Sequence, residues 1–281
     1  MRYLDRAAEK YFGKRTTFYR DAHTRRLIKT YTDGDIYRIR DAKLPKLDKA
    51  DELLFFRNIF EDTFGGYVYL NDDYSGKIVD LCDGMLIEGF YGLVNDKVNV
   101  TVEPGDIVID AGSWAGDFAA YASVKGAAVY AFEPTPSTFE LLKKTADLNG
   151  NITPVNKGLS DENTSTTLFV NVQGNSGGNA LRDKTTEQMT PSSSVETVRL
   201  DDFVRENNLP RVDFIKADIE GFERNMLAGA QETLARFAPK LALCTYHLPD
   251  DPEVMTRLIL QANPRYNIVQ KHAKLLASVP E

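Results

Sequence analysis

The chain has 281 residues, 42% of them hydrophobic, enough to bury a complete α/β core and leave sequence over for an extension. Its 34 basic and 41 acidic residues give a net charge of −7, without the basic excess that neutralising phosphates requires, so nucleic acid is not expected as a partner. No apolar run approaches the roughly 20 residues of a membrane span, and the N-terminus lacks the basic, apolar, small-residue order of a signal peptide. Cys82 and Cys244 fall in no metal-type spacing, so reduced structural thiols, no membrane contact and a cytoplasmic location are expected.

In residues 1–100 a helix capped at Asp48 or Asp51 is predicted to run to about Glu61, followed by short tyrosine-rich strands with turns at Asp72–Gly76 and at Asp83-Gly84. No catalytic constellation stands out there, and this α+β extension is read as a cap, a substrate contact or a homodimer contact. From residue 101 to 281 short apolar runs alternate with helical patterns, the signature of a parallel sheet covered by helices. Strands are expected at Asp106–Asp110, Ala128–Phe132, Ile152–Asn156, Val212–Ala217, Lys240–Tyr246 and Tyr266–Gln270. Helices are expected at Gly116–Val124, Pro136–Leu148, Glu223–Phe237 and Asp251–Ala262. Phe169–Val198, rich in Gly, Ser, Thr and Asn, reads as a loop over the site. The fold class implied is a doubly wound, mostly parallel α/β sheet of the Rossmann-like kind.

Where the first of these strands turns into a helix, Asp110, Gly112 and Gly116 spell D-x-G-x-x-x-G. Glycines let a backbone approach a ligand closely, Asp110 can attract an ammonium group, and the helix N-terminus favours a carboxylate. Glu133, followed by Pro134, ends the second strand 23 residues after Asp110, where an acid can accept both hydroxyls of a ribose. An aspartate in place of the first glycine of G-x-G-x-x-G would repel a pyrophosphate, which favours S-adenosylmethionine, a phosphate-free sulfonium nucleoside, over a nicotinamide cofactor. Asp110, Gly112, Ser113, Gly116, Glu133 and Pro134 are the candidate cofactor contacts. Ser160, in Gly158-Leu159-Ser160-Asp161, reads equally as an adenine contact or as part of a plain polar turn.

Lys216-Ala-Asp218-Ile-Glu220-Gly221-Phe-Glu223 follows the fourth strand at the edge where open α/β sheets bind ligands. It reads either as a salt bridge with a helix cap or as the substrate end of the site, where Asp218 also borders the cofactor. His247 arrives at the same edge, and His23 and His272 read as surface or packing residues. Methyl transfer to an alcohol requires loss of a proton with a pKa of about 16, so His247, Asp218 and Glu220 are the candidate catalytic residues. Carboxylates and imidazole also ligate divalent metals, but the spacing matches no recognised pattern and no metal is expected.

Together Asp106-Ile-Val-Ile-Asp110-Ala-Gly112, Ala131-Phe-Glu133-Pro134, Leu200-Asp201-Asp202-Phe203 and Phe214-Ile-Lys216-Ala-Asp218-Ile-Glu220-Gly221-Phe-Glu223 resemble the FkbM family of S-adenosylmethionine-dependent methyltransferases. The resemblance spans roughly Val102 to His247 and implies a class I methyltransferase sheet and O-methylation of a hydroxyl on a sugar or small molecule. It implies that Asp110, Gly112 and Glu133 hold the cofactor and that Asp218 and Glu220 lie by the transferred methyl. Two other readings stay open: a non-catalytic nucleoside-binding module and a nicotinamide-dependent oxidoreductase.

Overall fold

The computed structural model describes residues 14–60, 63–64, 91–171, 176–181, 189–271 and 273–280. Cys82, His272 and the predicted tyrosine-rich strands with their turns at 72–76 and 83–84 lie outside these residues, as does the side chain of His23.

The extension begins with helix α1 (Lys14–Tyr31) and the meander β1 (Thr32–Asp33), β2 (Ile36–Ile39) and β3 (Ala42–Pro45). Helix α2 (Lys49–Leu54) then runs into a π-helical turn at Phe55–Ile59. Asp48 is the N-cap of α2: its Oδ1 accepts from the backbone N–H groups of Ala50 and Asp51 at 2.8 and 2.9 Å, satisfying donors that have no intrahelical partner. Asp51 is thereby left to another task. Strands β4 (Leu93–Val94) and β5 (Asn99–Val100) form a small hairpin before the main sheet.

The sheet-forming elements follow as β6 (Ile107–Ala111), α3 (Asp117–Val124), β7 (Ala128–Phe132), α4 (Pro136–Asn149) and β8 (Ile152–Val155). Next come β9 (Gly158–Leu159), β10 (Thr164–Asn171), β11 (Met189–Val198), α5 (Leu200–Glu206), β12 (Phe214–Ala217), α6 (Glu223–Ala228), α7 (Gln231–Phe237) and β13 (Lys240–Cys244). Helix α8 (Asp251–Ala262), β14 (Asn267–Lys271) and β15 (Lys274–Ser278) end the chain. The seven-stranded order is β14-β15-β13-β12-β6-β7-β8. All neighbours are parallel except β15, which is antiparallel to β13 and β14. This is the doubly wound sheet expected, with β15 added and the predicted Glu223–Phe237 helix divided at Gly229-Ala230.

Alternate residues of the central strands feed two cores, one on each face. Ile109, Ile215 and Leu241 stand in register and pack with Phe132, Met226 and Leu275, while Val108 and Phe214 pack with Phe118, Val129 and Leu142 on the other face. Strands covered on both sides need no polar face, which is why β6, β12 and β13 read as continuous apolar runs. A third, aromatic core joins the extension to the sheet domain: Tyr37, Phe55, Phe56, Phe60 and Phe64 pack with Trp114, Ala115 and Ala120.

The predicted loop at Phe169–Val198 is not irregular throughout. Strands β10 and β11 pair antiparallel from Thr164↔Thr197 to Asn171↔Met189, and β11 then pairs with β9 in parallel.

Candidate active site

Strand order reverses between β6, whose chain leads to β7 on one side, and β12 on the other, so the carboxyl ends of β6 and β12 diverge into the crevice typical of ligand sites in such sheets. A cleft of about 560 Å³, its open mouth included, lies there. Gly112 and Trp114 after β6, Glu133, Pro134 and Thr135 after β7, and Asp218, Ile219, Glu220 and Phe222 after β12 line it. Phe132, Leu159, Leu168, Ala180 and Leu181 add an apolar side, and Lys157 is the one basic lining residue among the described residues.

Glu133 is buried and strongly bound: Oε2 accepts from Trp114 N–H at 3.0 Å, while Oε1 accepts from Thr135 N–H and the Thr138 hydroxyl, both at 2.8 Å. A carboxylate has about four acceptor positions, so roughly one, on Oε2, is left for a ligand rather than the pair expected from sequence. Burial pushes this carboxyl above its ordinary value, against the pull of those donors.

Asp110 is fully buried behind the cleft, which corrects the expectation that it faces an ammonium group. It stands opposite Lys216 in the parallel register; Lys216 Nζ lies 3.1 Å from its Oδ1 and donates to the Gly112 carbonyl at 2.7 Å. Burial opposes the charge on Lys216, but the carboxylates of Asp110, Asp218 and Asp117 outweigh it and raise the ammonium's pKa. The turn glycines also serve the chain rather than a ligand. Gly112 has φ +74°, and a Cβ there would lie 2.0 Å from the Asp218 carbonyl oxygen; at Gly116, φ +86°, it would meet Leu142 and Thr145 at 2.8 and 2.9 Å. Ser113 donates to the Asp110 carbonyl, and Ser160 is buried beneath the cleft, its carbonyl against Gly229. Of the sequence candidates, Gly112, Glu133, Pro134, Asp218 and Glu220 therefore line the cleft, and Asp110, Ser113, Gly116 and Ser160 do not.

On the β12 side, Asp218 accepts from the Tyr91 hydroxyl at 2.9 Å and the Tyr246 hydroxyl at 3.0 Å. Burial works against its charge, but His247, Lys216 and Lys274 overcome this and hold its carboxyl below the ordinary range. His247 has a side chain only 4% exposed, with Nδ1 3.0 Å from Glu223 Oε1, and Nε2 3.4 Å from Glu220 Oε2 and 3.6 Å from Asp218 Oδ1. Burial alone would make it neutral; the Glu223 and Glu220 carboxylates prevail and raise its pKa well above the usual imidazole value. That direction favours the protonated ring, which has no lone pair to offer, and so argues against the expected role of His247 as the base.

Sequence reasoning missed Glu223 as the organiser of this turn. Its Oε1 accepts from Ile219 N–H at 2.8 Å and its Oε2 from Gly221 N–H at 3.0 Å, tying the turn on which Glu220 sits at φ +58°. The available signal was position: an acid in the first turn of a helix with free backbone donors just upstream. Asp218, Glu223 and His247 each bring one ligand-type atom within 4.8 Å of the others, although the Glu223 oxygens are already committed to these backbone donors and to His247.

The sheet order, the switch-point cleft and its acidic lining define a class I methyltransferase domain, the type that takes S-adenosylmethionine. Within that class the chain belongs to the methyltransferase FkbM domain family, whose model matches residues 106–267. It is 29% identical over 161 residues to the hexuronic acid methyltransferase AglP of Haloferax volcanii, covering 57% of this chain and 64% of that protein. It is 31% identical over 147 residues to Methyltransferase 1 of Beauveria bassiana, covering 44% of this chain and 58% of the relative. The crystal structure of an FkbM methyltransferase from Methylobacillus flagellatus matches with a TM-score of 0.49 and 18% identity, over 85% of this chain and 56% of that one. The chain thus spans less than two thirds of each of these relatives. The described lining fits the cofactor: carboxylates from Glu133, Asp218 and Glu220 suit a sulfonium and an ammonium.

Among the described residues no helix is long and apolar enough to cross a membrane.

Proposed function

We propose that the protein is an S-adenosylmethionine-dependent O-methyltransferase acting on a hydroxyl of a sugar or another small molecule. The observation that carries this reading is that Glu133, at the end of β7, and the Asp218 and Glu220 pair, after β12, line one and the same cleft. The name of the Haloferax relative supports a saccharide acceptor.

S-adenosylmethionine, when bound, supplies an electrophilic methyl group. Glu133 Oε2 would hold a ribose hydroxyl, Leu159, Leu168 and Ala180 would cover the apolar part of the nucleoside, and the carboxylate of Asp218 would attract the cationic end. Glu220 is the residue placed to take the acceptor's proton. It lines the cleft, whereas the carboxylates around His247 favour its protonated form and Asp218 is held as a weak base by two phenols and its cationic neighbours. With the cofactor bound, alignment of nucleophile, carbon and sulfur would supply most of the acceleration.

Calorimetric titration with S-adenosylhomocysteine is expected to show binding that Glu133→Ala weakens by at least tenfold. Turnover of hydroxylated acceptors is expected to collapse in Glu220→Gln while that affinity is kept. Affinity unchanged in Glu133→Ala would remove the cofactor from this cleft. Binding without product over a broad acceptor screen would favour a non-catalytic module instead.

A further inference from the structure

Trp114, the chain's only tryptophan, sits in the cofactor turn at φ +47°, a conformation costly for a bulky residue that persists only where its surroundings over-determine it. Two anchors do so. Its backbone N–H donates to Glu133 Oε2, and its indole Nε1–H donates to Ser176 Oγ at 2.7 Å. Ser176 Oγ in turn lies 2.8 Å from both carboxylate oxygens of Asp51. The polarity of this chain is fixed. Indole can only donate, so the single serine proton must go to Asp51.

Asp51 belongs to α2 of the extension, 125 residues from Ser176, and is itself buried. The cap at Asp48 sets its position, and Phe55, one turn on, stacks on the Trp114 ring with centroids 6.3 Å apart. Trp114, Ser176 and Gly177 all line the cleft; Asp51 does not.

We propose that Asp51 is a positioning residue of the cofactor cleft: through Ser176 it fixes the Trp114 indole, and through the Trp114 backbone it fixes the Glu133 carboxylate. The extension then sets cofactor affinity without touching the cofactor. This rests on the reading of the cleft as the S-adenosylmethionine site. Asp51 is buried and outside the cleft, with Ser176 as its partner, and removing the Ser176 hydroxyl takes away the acceptor of the indole N–H.

The test uses full-length Asp51→Ala, Asp51→Asn, Ser176→Ala and the Asp51→Ala/Ser176→Ala double variant. Each is titrated with S-adenosylhomocysteine by calorimetry at a temperature well below unfolding, and acrylamide quenching of Trp114 fluorescence is measured without ligand. Asp51→Ala and Ser176→Ala are each expected to weaken binding about tenfold and to make Trp114 more quenchable. The double variant should be no worse than either single one, because both cut the same chain, and Asp51→Asn should recover most of the loss because its amide oxygen still accepts from Ser176. A merely structural aspartate would lower the melting temperature and leave affinity and quenching as in the wild type; that result overturns the proposal. Should Asp51→Ala not fold, Ser176→Ala, a truncation by one oxygen, decides the same question. No binding by the wild type would sink the cofactor reading and this inference with it, whereas wild-type binding that neither substitution changes sinks this inference alone.

Discussion

Replacing Lys216 with methionine keeps the bulk of the side chain and deletes its charge, leaving the carboxylate of Asp110 stranded under the cofactor turn. The two groups are 5% and 0% exposed and 3.1 Å apart. At that distance, with an effective dielectric of about 20, their attraction is about 5 kcal/mol, much of it offset by the cost of taking both ions out of water. Removing one partner leaves the desolvation cost of the other uncompensated, so Lys216→Met is expected to lose about 3–5 kcal/mol in urea unfolding. The double variant Asp110→Asn/Lys216→Met removes both charges and should return to within about 2 kcal/mol of the wild type. It should also keep S-adenosylhomocysteine affinity within a few-fold, because Asp110 does not line the cleft. A Lys216→Met variant within 1 kcal/mol of the wild type, or a double variant as unstable as the single, would refute the coupling.

Gly112→Ala drives a Cβ to 2.0 Å from the Asp218 backbone carbonyl at φ +74°, where neither chain can yield, and should cost more than about 3 kcal/mol in thermal unfolding. Gly34→Ala, at φ +62° with nothing within 4 Å, should cost only the conformational strain of about 1–2 kcal/mol. Asp117, buried beside Thr63, is pushed up to about 6 by desolvation. Its folded value lies above the unfolded one of about 4, so the native state keeps a proton that the unfolded chain has released. The stability this confers is complete below pH 4 and lost as pH rises through 6. Relative to Asp117→Asn, the wild type should therefore lose on the order of 2–3 kcal/mol between pH 4 and pH 8, read from denaturant midpoints. Because the Glu223 and Glu220 carboxylates raise the pKa of His247 well above the usual imidazole value, kcat/KM of the wild type is expected to show no decline near pH 6.5 on acidification. A limb there that disappears in His247→Gln would restore the imidazole as the base.

Much of the sheet domain was legible because parallel strands buried on both faces carry apolar runs, such as Ile107 to Ile109 within Asp106–Asp110 and Phe214-Ile215 within Val212–Ala217, although Asp110 and Lys216 follow them. The hairpin of β10 and β11 was not legible, since Thr164–Asn171 and Met189–Val198 are rich in Ser and Thr and bury few side chains, Leu168, Val195, Thr197 and Val198. Their long antiparallel pairing rests on backbone groups, which leaves little periodicity to read. Strand β15 was not read from the sequence: it begins at Lys274, a charged residue that is nevertheless fully buried with its Nζ 4.2 Å from the Tyr91 ring centroid, and the whole strand is buried.

The site divides along the same line. Which residues reach the sheet edge follows from strand lengths, and Gly112, Glu133, Pro134, Asp218 and Glu220 arrive there as expected. Which way a side chain points depends on register. Asp110 and Lys216 fall on the row of Val108 and Phe214, facing the α3 side of the sheet and each other, so the acid beside the glycine turn serves the turn and not the ligand. The same holds for Glu223, whose carboxylate accepts from the Ile219 and Gly221 backbone and closes the loop beneath Glu220. The His247 ring lies within 3.6 Å of carboxylate oxygens from Asp218, Glu220 and Glu223. The Glu223 and Glu220 carboxylates raise its pKa above the usual imidazole value, so a residue that reads from the sequence as a base is set among acids that favour its protonated form.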